Sequence, residues 1–173
     1  MGVNWLLLLM RAIHVVGGVF WVGGVVVLTR FVLPAARASG PAAGPMMQQM
    51  ARRKLGAYIP VLSILTVLSG LGLYWHDSGG FRSHEWLRSP SAMTFGAGGL
   101  LALIVFALGI SIISPTGRQM ERLGARMQQA GGPPAPELIS EMQAVQARMA
   151  WSTTTAAVLL TLTALLMSVA RYV

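Results

Sequence analysis

The distribution of charged residues constrains this chain more than any other feature of its sequence. Four segments, 12–29, 55–75, 89–117 and 149–170, contain no Asp, Glu, Lys or Arg and together hold more than half of the chain. A helix needs about 20 mainly apolar residues to cross a bilayer, and each segment reaches or nearly reaches that length. Because a lone strand leaves its backbone groups unpaired in lipid, each segment is predicted to cross as a helix.

The composition excludes several other classes of protein. Charged residues make up 10% of the chain and hydrophobic residues 54%, whereas a soluble domain has about 25% charged residues. The absence of Cys excludes disulfide scaffolds, thiol catalysis, Cys-ligated zinc and iron–sulfur clusters. The net charge of +8 does not indicate nucleic acid as a partner, because excess Arg in a membrane protein lies at the lipid surface.

These observations predict an all-α fold: an integral membrane four-helix bundle with a cytoplasmic helical hairpin between helices 3 and 4. The whole chain, 1–173, is expected to form one membrane domain. The expected spans are about 6–33, 55–76, 92–114 and 149–171, and the expected hairpin is 116–148.

The basic residues predict the orientation of the bundle. Nine of the 13 Lys and Arg residues lie in the connections 30–54 and 118–148, and four lie on the other side. Basic residues concentrate in cytoplasmic loops. We therefore expect a multi-pass protein of the bacterial inner (cytoplasmic) membrane with both termini on the periplasmic side.

The two cytoplasmic connections have different patterns. Segment 34–45, PAARASGPAAGP, is typical of a flexible or turn-rich linker, and MMQQMARRK after it predicts a helix at the membrane interface. In the second connection, two apolar runs at coiled-coil spacing flank the break GGPPAP at 131–136, which predicts an antiparallel helical hairpin. The apolar positions are Met120, Leu123, Met127, Leu138, Met142, Val145 and Met149. The second hairpin helix is expected to continue unbroken into the fourth span.

The methionines of the connections have two interpretations. Soft thioether ligands suit copper(I), so these residues and Met46, Met47 and Met50 fit a copper-handling chain. Methionine is also an adaptable filler of apolar cores and lipid-facing surfaces. The regular spacing in the hairpin favours core packing.

The first span carries the most distinctive candidate site. His14 is the only strongly titratable side chain within the spans, and Arg11, Gly17, Gly18 and Trp21 share its helix face. In one interpretation, the glycines allow close helix packing and His14 hydrogen-bonds a neighbouring carbonyl. In the other, the glycines leave room for a macrocycle, His14 Nε2 binds the iron of haem b, and Arg11 lies near a propionate.

A second candidate site lies at the predicted periplasmic end. His76, Asp77, His84 and Glu85 offer imidazole and carboxylate ligands in a spacing that matches no sharp motif. Such ligands suit copper or zinc, and a haem with His14 and His76 as its two ligands is a further possibility. The alternative is that His76, beside Trp75, is an ordinary interface residue.

The first two spans resemble small four-helix bacterial membrane proteins, the superfamily of the copper-resistance D family and the J-type membrane protoporphyrinogen oxidases, including its uncharacterised relatives. The first span shares a His, a Trp seven residues later and following glycines, here His14, Trp21, Gly23 and Gly24. The J-type oxidases also look similar at Arg30, at 53–55, at Pro60 and at Thr66–Gly70. The end of the fourth span, with Met167, Arg171 and Tyr172, is similar to the uncharacterised relatives.

The resemblance implies different activities for different branches. In a J-type protein it implies that His14 is a haem ligand, but the third span of those oxidases carries a Lys and a His that 89–117 lacks. Resemblance to the copper-resistance branch implies copper handling on the periplasmic face, toward which the histidines are predicted to point.

Three functional hypotheses follow. The first is a non-catalytic accessory or cofactor-binding subunit, part of a larger membrane redox or energy complex with other membrane-protein subunits or with copies of itself. It rests on the glycine-rich first span, on the hairpin as a docking surface for a larger partner, and on the absence of paired acid–base groups, nucleophile motifs and phosphate-binding loops in the sequence. The second is a haem-b redox protein or oxidase that uses His14. The third is a copper-handling membrane protein.

Overall fold

The computed structural model describes residues 4–129, 132 and 135–173 and confirms the all-α four-helix bundle. Four long apolar helices are long enough to cross a membrane: α1 (Trp5–Ala38), α3 (Leu55–Asp77), α5 (Pro90–Gln129) and α6 (Pro136–Tyr172). Two shorter helices, α2 (Gly44–Arg52) and α4 (His84–Leu87), lie in the connections.

The four long helices form a ring in chain order. α1 packs most extensively against α3, and α5 packs most extensively against α6; contacts of α1 with α6 and of α3 with α5 close the ring. A small apolar core of Trp21, Val105, Ala156 and Leu160 joins α1, α5 and α6. Since every connection leads to a neighbouring helix, the bundle has the simple up-and-down topology.

Lipid as the solvent explains which residues face inward. Large apolar side chains are exposed on all four long helices, including Val19, Leu68, Leu100 and Leu165. Many of the buried positions carry small residues instead: Gly17, Ser63, Thr66, Ser69, Gly98, Ser152, Ala156, Ala157 and Thr163. Lipid is as apolar as leucine, so membrane helices associate through close backbone packing, which small residues permit.

The third long helix begins at Pro90, two residues before the expected start of the span. The Ser89 hydroxyl accepts a hydrogen bond from the Ala92 amide at 3.1 Å, and Pro90 occupies the first helical position, where its missing N–H costs nothing. The helix then passes Pro115, one residue beyond the expected end of the span, and continues to Gln129.

Two π turns allow α1 and α5 to pass their prolines. One covers Leu28–Val32 and the other Gly109–Ile113, and in each helix a proline follows two residues later, Pro34 and Pro115. A proline ring clashes with the carbonyl four residues before it. The wider π turn displaces that carbonyl and keeps the helix continuous.

The prediction of a flexible or turn-rich linker over 34–45 is wrong for its first half. α1 continues through Pro34 to Ala38, five residues beyond the expected span, and a 3₁₀ turn at Gly40–Ala43 follows. A helix is present at MMQQMARRK, as predicted, and α2 ends at Arg52, two residues before the end of that segment.

The helical hairpin between the third and fourth spans is confirmed. The last part of α5 packs against the first part of α6, with Leu123 and Val145 buried between them. The methionines at the other predicted positions are half-buried there, as core packing requires. α6 runs as one α-helix over Pro136–Val169. Of the predicted break, Gly131, Pro133 and Pro134 lie outside the described residues.

The close approach of α1 to α3 predicts the effect of a single methyl group. A Cβ at Gly17 lies 2.7 Å from Thr66 Oγ1, whereas a Cβ at Gly23 meets nothing within 4 Å. Gly17→Ala is expected to lower the free energy of unfolding in mixed detergent micelles by about 1–3 kcal/mol, as overpacking does. Gly23→Ala, on the same helix, is the control and should be neutral or slightly stabilising. Equal stability of the two variants would contradict the packing.

Candidate functional site

The candidate site in the first span is built around His14, which lies against α3. His14 Nδ1 is 2.8 Å from the backbone oxygen of Thr66. Because a carbonyl oxygen only accepts, Nδ1 carries the hydrogen and donates it across the interface. The half-buried imidazole therefore joins two spans, as the packing interpretation of the sequence predicts.

Glycine on α3 makes room for the His14 ring. A Cβ at Gly70 lies 2.6 Å from His14 Cε1 and 2.9 Å from Nδ1, so only glycine accommodates the imidazole in this position. One turn further along α1, Gly17 likewise makes room for the side chain of Thr66. These two glycines, one from each helix, bring the backbones of α1 and α3 together around one hydrogen bond.

Thr66 connects both contacts. Its backbone oxygen accepts from His14, and its side chain lies over Gly17. Its Oγ1 is buried and has no hydrogen-bond partner among the described residues. Ser63 and Ser69, one turn to either side and also buried, donate to carbonyls of α3 itself at 2.8 Å and 2.6 Å. The polar stripe of α3 is thus mostly satisfied within its own helix.

A haem does not fit the face on which the sequence placed it. The space over Gly17 is filled by the Thr66 side chain, and the Thr66 methyl group also lies in contact distance of a Cβ at Gly18. A donated Nδ1 hydrogen is compatible with a His that binds iron through Nε2. The room for a flat macrocycle beside Gly17 and Gly18, however, is taken by α3.

The other residues predicted for this site are distributed differently. Trp21 is 4% exposed and belongs to the apolar core with Val105, Ala156 and Leu160. Arg11 shares the helix face of His14 but its side chain is exposed. The structure therefore brings together His14, Gly17 and Gly18 with α3 and places Trp21 in the bundle centre.

The second candidate site lies where α3 ends. His76 Nδ1 pairs with Asp77 Oδ1 at 3.1 Å, and both side chains are substantially exposed. His84 and Glu85 lie in the short helix α4 and are also exposed. Within residues 4–129, 132 and 135–173, no group of three or more His, Cys, Asp or Glu side chains is arranged to hold a metal ion. The donors proposed for copper or zinc are not gathered into one site.

Aromatic packing organises this end of the bundle instead. Tyr74 lies edge-on to Trp86 with ring centroids 5.1 Å apart, and Trp75 lies edge-on to Phe81 at 5.2 Å. The fully buried Ser78 donates to the Trp75 oxygen and accepts from the Phe81 amide. These contacts hold the loop between α3 and α4 against the helix ends.

Two residues of the His14 site were not identified as partners from the sequence. Thr66 and Gly70 were noted as a Thr-x-x-x-Gly pattern in the second span, without an assignment to His14. Four-residue spacing of small residues signals a close helix interface. It does not indicate which helix approaches, and that choice follows from the tertiary arrangement.

Comparison of the chain with protein-family models, with curated proteins and with solved structures finds no match.

The interhelical hydrogen bond predicts a modest role of His14 in stability. His14→Ala removes the bond to Thr66 and the ring that fills the space over Gly70, and should lower the free energy of unfolding by about 1–2 kcal/mol. His76→Ala removes only an exposed pair and should change it by less than about 0.5 kcal/mol. Denaturant titration of both variants in micelles checks this, and an equal effect of the two would contradict it.

The occupation of the Gly17 face by Thr66 also predicts an optical result. The gently solubilised protein should show no haem-b α-band, either oxidised or reduced with dithionite. A reduced α-band that disappears in His14→Ala would contradict this expectation and favour the redox hypothesis.

Proposed function

We propose that the chain is a non-catalytic accessory subunit that binds an acidic surface of another subunit in a membrane assembly through its helical hairpin. The observation that carries the proposal is the continuity of α6 over Pro136–Val169. Its charge-free part begins at Met149, so the 13 residues before it extend the same axis out of the membrane. At 1.5 Å per residue they reach about 20 Å.

The hairpin has its own packed interior. Leu123 and Val145 are 2% and 3% exposed, and Gln119 Nε2 donates to Glu141 Oε1 at 3.4 Å between the two helices. A surface whose backbone is already ordered loses less conformational entropy when a partner binds. This preorganisation supports a role in docking.

The charges of the hairpin indicate the chemistry of the partner. Arg118, Arg122 and Arg126 recur every fourth residue and are all exposed, so they form one stripe along the end of α5. Among the described residues the only ion pair is His76–Asp77, at the other end of the bundle. A stripe of unpaired guanidinium groups favours a carboxylate-rich surface.

Distance and charge favour a different protein as the partner, rather than lipid headgroups or a second copy of this chain. Arg126 lies 13 residues beyond the π turn that ends at Ile113, about 20 Å along the helix. The Debye length at physiological salt is about 8 Å, so lipid headgroups attract this residue weakly. A second copy that places its own arginine stripe opposite this one is repelled, although the hairpin also carries the exposed Glu121, Glu137 and Glu141.

The membrane-embedded residues support a non-catalytic role. His14 contributes its Nδ1 hydrogen and its ring to the packing of α1 on α3. General acid–base catalysis requires a positioned pair of titratable groups. The charge-free spans offer His14 with Tyr58 and Tyr74, and Tyr74 donates its hydroxyl hydrogen to the Ala92 oxygen. The proposal places the hairpin in the cytoplasm and both termini in the periplasm of a bacterial inner membrane, on the basis of the positive-inside bias.

The test is the size of the native assembly when the arginine stripe is reversed in charge. The chain is extracted in lipid–polymer discs and run on a native gel, and its 18.4 kDa mass identifies the free form. The wild type should migrate in a larger assembly, and R118E/R122E/R126E should be released from it. The matched control R82E/R88E/R171E reverses three exposed arginines outside the hairpin and the connection 30–54, and should remain bound.

Three results would overturn the proposal. They are a wild type that migrates alone, an assembly that contains only copies of this chain, and an assembly that retains the hairpin variant as well as it retains the control. Circular dichroism of each variant verifies that its helices are intact.

A further inference from the structure

A polar cavity lies between the π turn of α1 and the start of the fourth span. Its volume is about 190 Å³, and its polar lining comes from both helices: Thr29, Arg30, Arg37, Thr153 and Thr154. A water molecule takes about 30 Å³ of liquid volume, so the cavity has room for a tetrahedral oxyanion. We propose that this cavity binds an anionic phosphate group at the membrane surface.

Position is the first argument. Arg30 is the first charged residue after the charge-free segment 12–29, and Thr153 and Thr154 lie near the start of the charge-free segment 149–170. The cavity is therefore at the level where a bilayer changes from hydrocarbon to headgroups. Basic pockets between membrane helices at this level are suited to the phosphates of lipid headgroups.

Charge is the second argument. Arg30 and Arg37 lie two turns apart on α1, and the lining of the cavity contains no carboxylate. In the part of the chain that the structure describes, neither guanidinium is paired with an acidic side chain. Guanidinium groups bind phosphate oxygens through two parallel hydrogen bonds, so two unpaired arginines at one cavity provide strong oxyanion donors.

The cavity walls are ordered by contacts between the helices. Thr29 is buried, and its Oγ1 lies 3.5 Å from the Thr153 backbone oxygen, a long contact that leaves the hydroxyl weakly engaged. Arg37 Nη2 donates to the backbone oxygen of Gln146 at 3.3 Å. This bond holds the Arg37 guanidinium across the base of the hairpin. The Arg37 contact uses one of the five N–H hydrogens of its guanidinium, so the others remain free to bind an oxyanion, whereas Thr29 has a single hydroxyl hydrogen and holds it in a long contact.

The other π turn provides a comparison within the same molecule. A cavity beside Gly109–Ile113 lies at a similar level and is larger, about 380 Å³, but Arg148 is its only charged lining residue. One arginine beside the indole of Trp151 gives a weaker oxyanion site. The proposal therefore concerns the cavity of α1.

The experiment measures retention of a phosphate-containing ligand by native mass spectrometry of the full chain in neutral detergent. The probes are phosphatidylglycerol, zwitterionic phosphatidylcholine and inorganic phosphate. The wild type should retain one phosphatidylglycerol in preference to phosphatidylcholine, and R30Q/R37Q should lower its occupancy at least tenfold. The control R52Q/R53Q removes two exposed arginines of the same connection that do not line the cavity, and should behave as the wild type.

Competition on the wild type needs no variant and separates the two sources of phosphate. If inorganic phosphate displaces the lipid, the cavity binds the free ion as well; if it does not, the site requires the headgroup at the membrane surface. The proposal is overturned if neither phosphatidylglycerol nor inorganic phosphate is retained, if phosphatidylcholine is retained as well as phosphatidylglycerol, or if R30Q/R37Q and R52Q/R53Q lose the lipid equally. It does not depend on the proposed partner of the hairpin, because release of that partner leaves this cavity intact.

Discussion

The close contact of α1 with α3 is the interaction on which the rest of the bundle depends. Gly17 and Gly70, one on each helix, let the backbones approach until a side-chain nitrogen of one helix reaches a backbone oxygen of the other. In lipid there is no hydrophobic force between helices, so such backbone proximity and the interhelical hydrogen bond hold them together. With α1 fixed on α3, Trp21 lies on the side of α1 that meets α5 and α6.

Two prolines impose a second constraint on the bundle, at the opposite end of the spans from His14. Pro34 and Pro115 each force a wider turn in the preceding helix, and the two π turns both lie next to the part of α6 where its membrane span begins. A cavity lies beside each π turn, one on either side of α6, with lining residues within 29–37 and 111–119.

The sequence predicts the membrane architecture well because lipid imposes a simple rule on composition. The four charge-free segments predict the four spans. The spacing of the apolar residues predicts the hairpin, in which Leu123 and Val145 are buried. The sequence does not predict the continuation of α1 to Ala38, because Pro and Gly in 34–45 indicate a linker, whereas in the structure a π turn precedes Pro34 and the helix continues. A π turn is a single irregular turn and leaves no periodic pattern in the sequence.

The His14 site illustrates a different limit of sequence reasoning. Glycines beside a histidine in a span fit both an open groove for a cofactor and a closed interface, since both require the absence of a side chain. The distinction depends on what fills the space, which here is Thr66 of α3. The two ends of the first span differ in what fills the space beside them. His14 is engaged by the neighbouring helix, whereas Arg30, beyond the apolar segment, faces a cavity whose lining contains no acid. In this molecule Gly17 and Gly70 therefore close the interface of α1 with α3, whereas the cavity beside Arg30 and Arg37 has no acidic side chain in its lining.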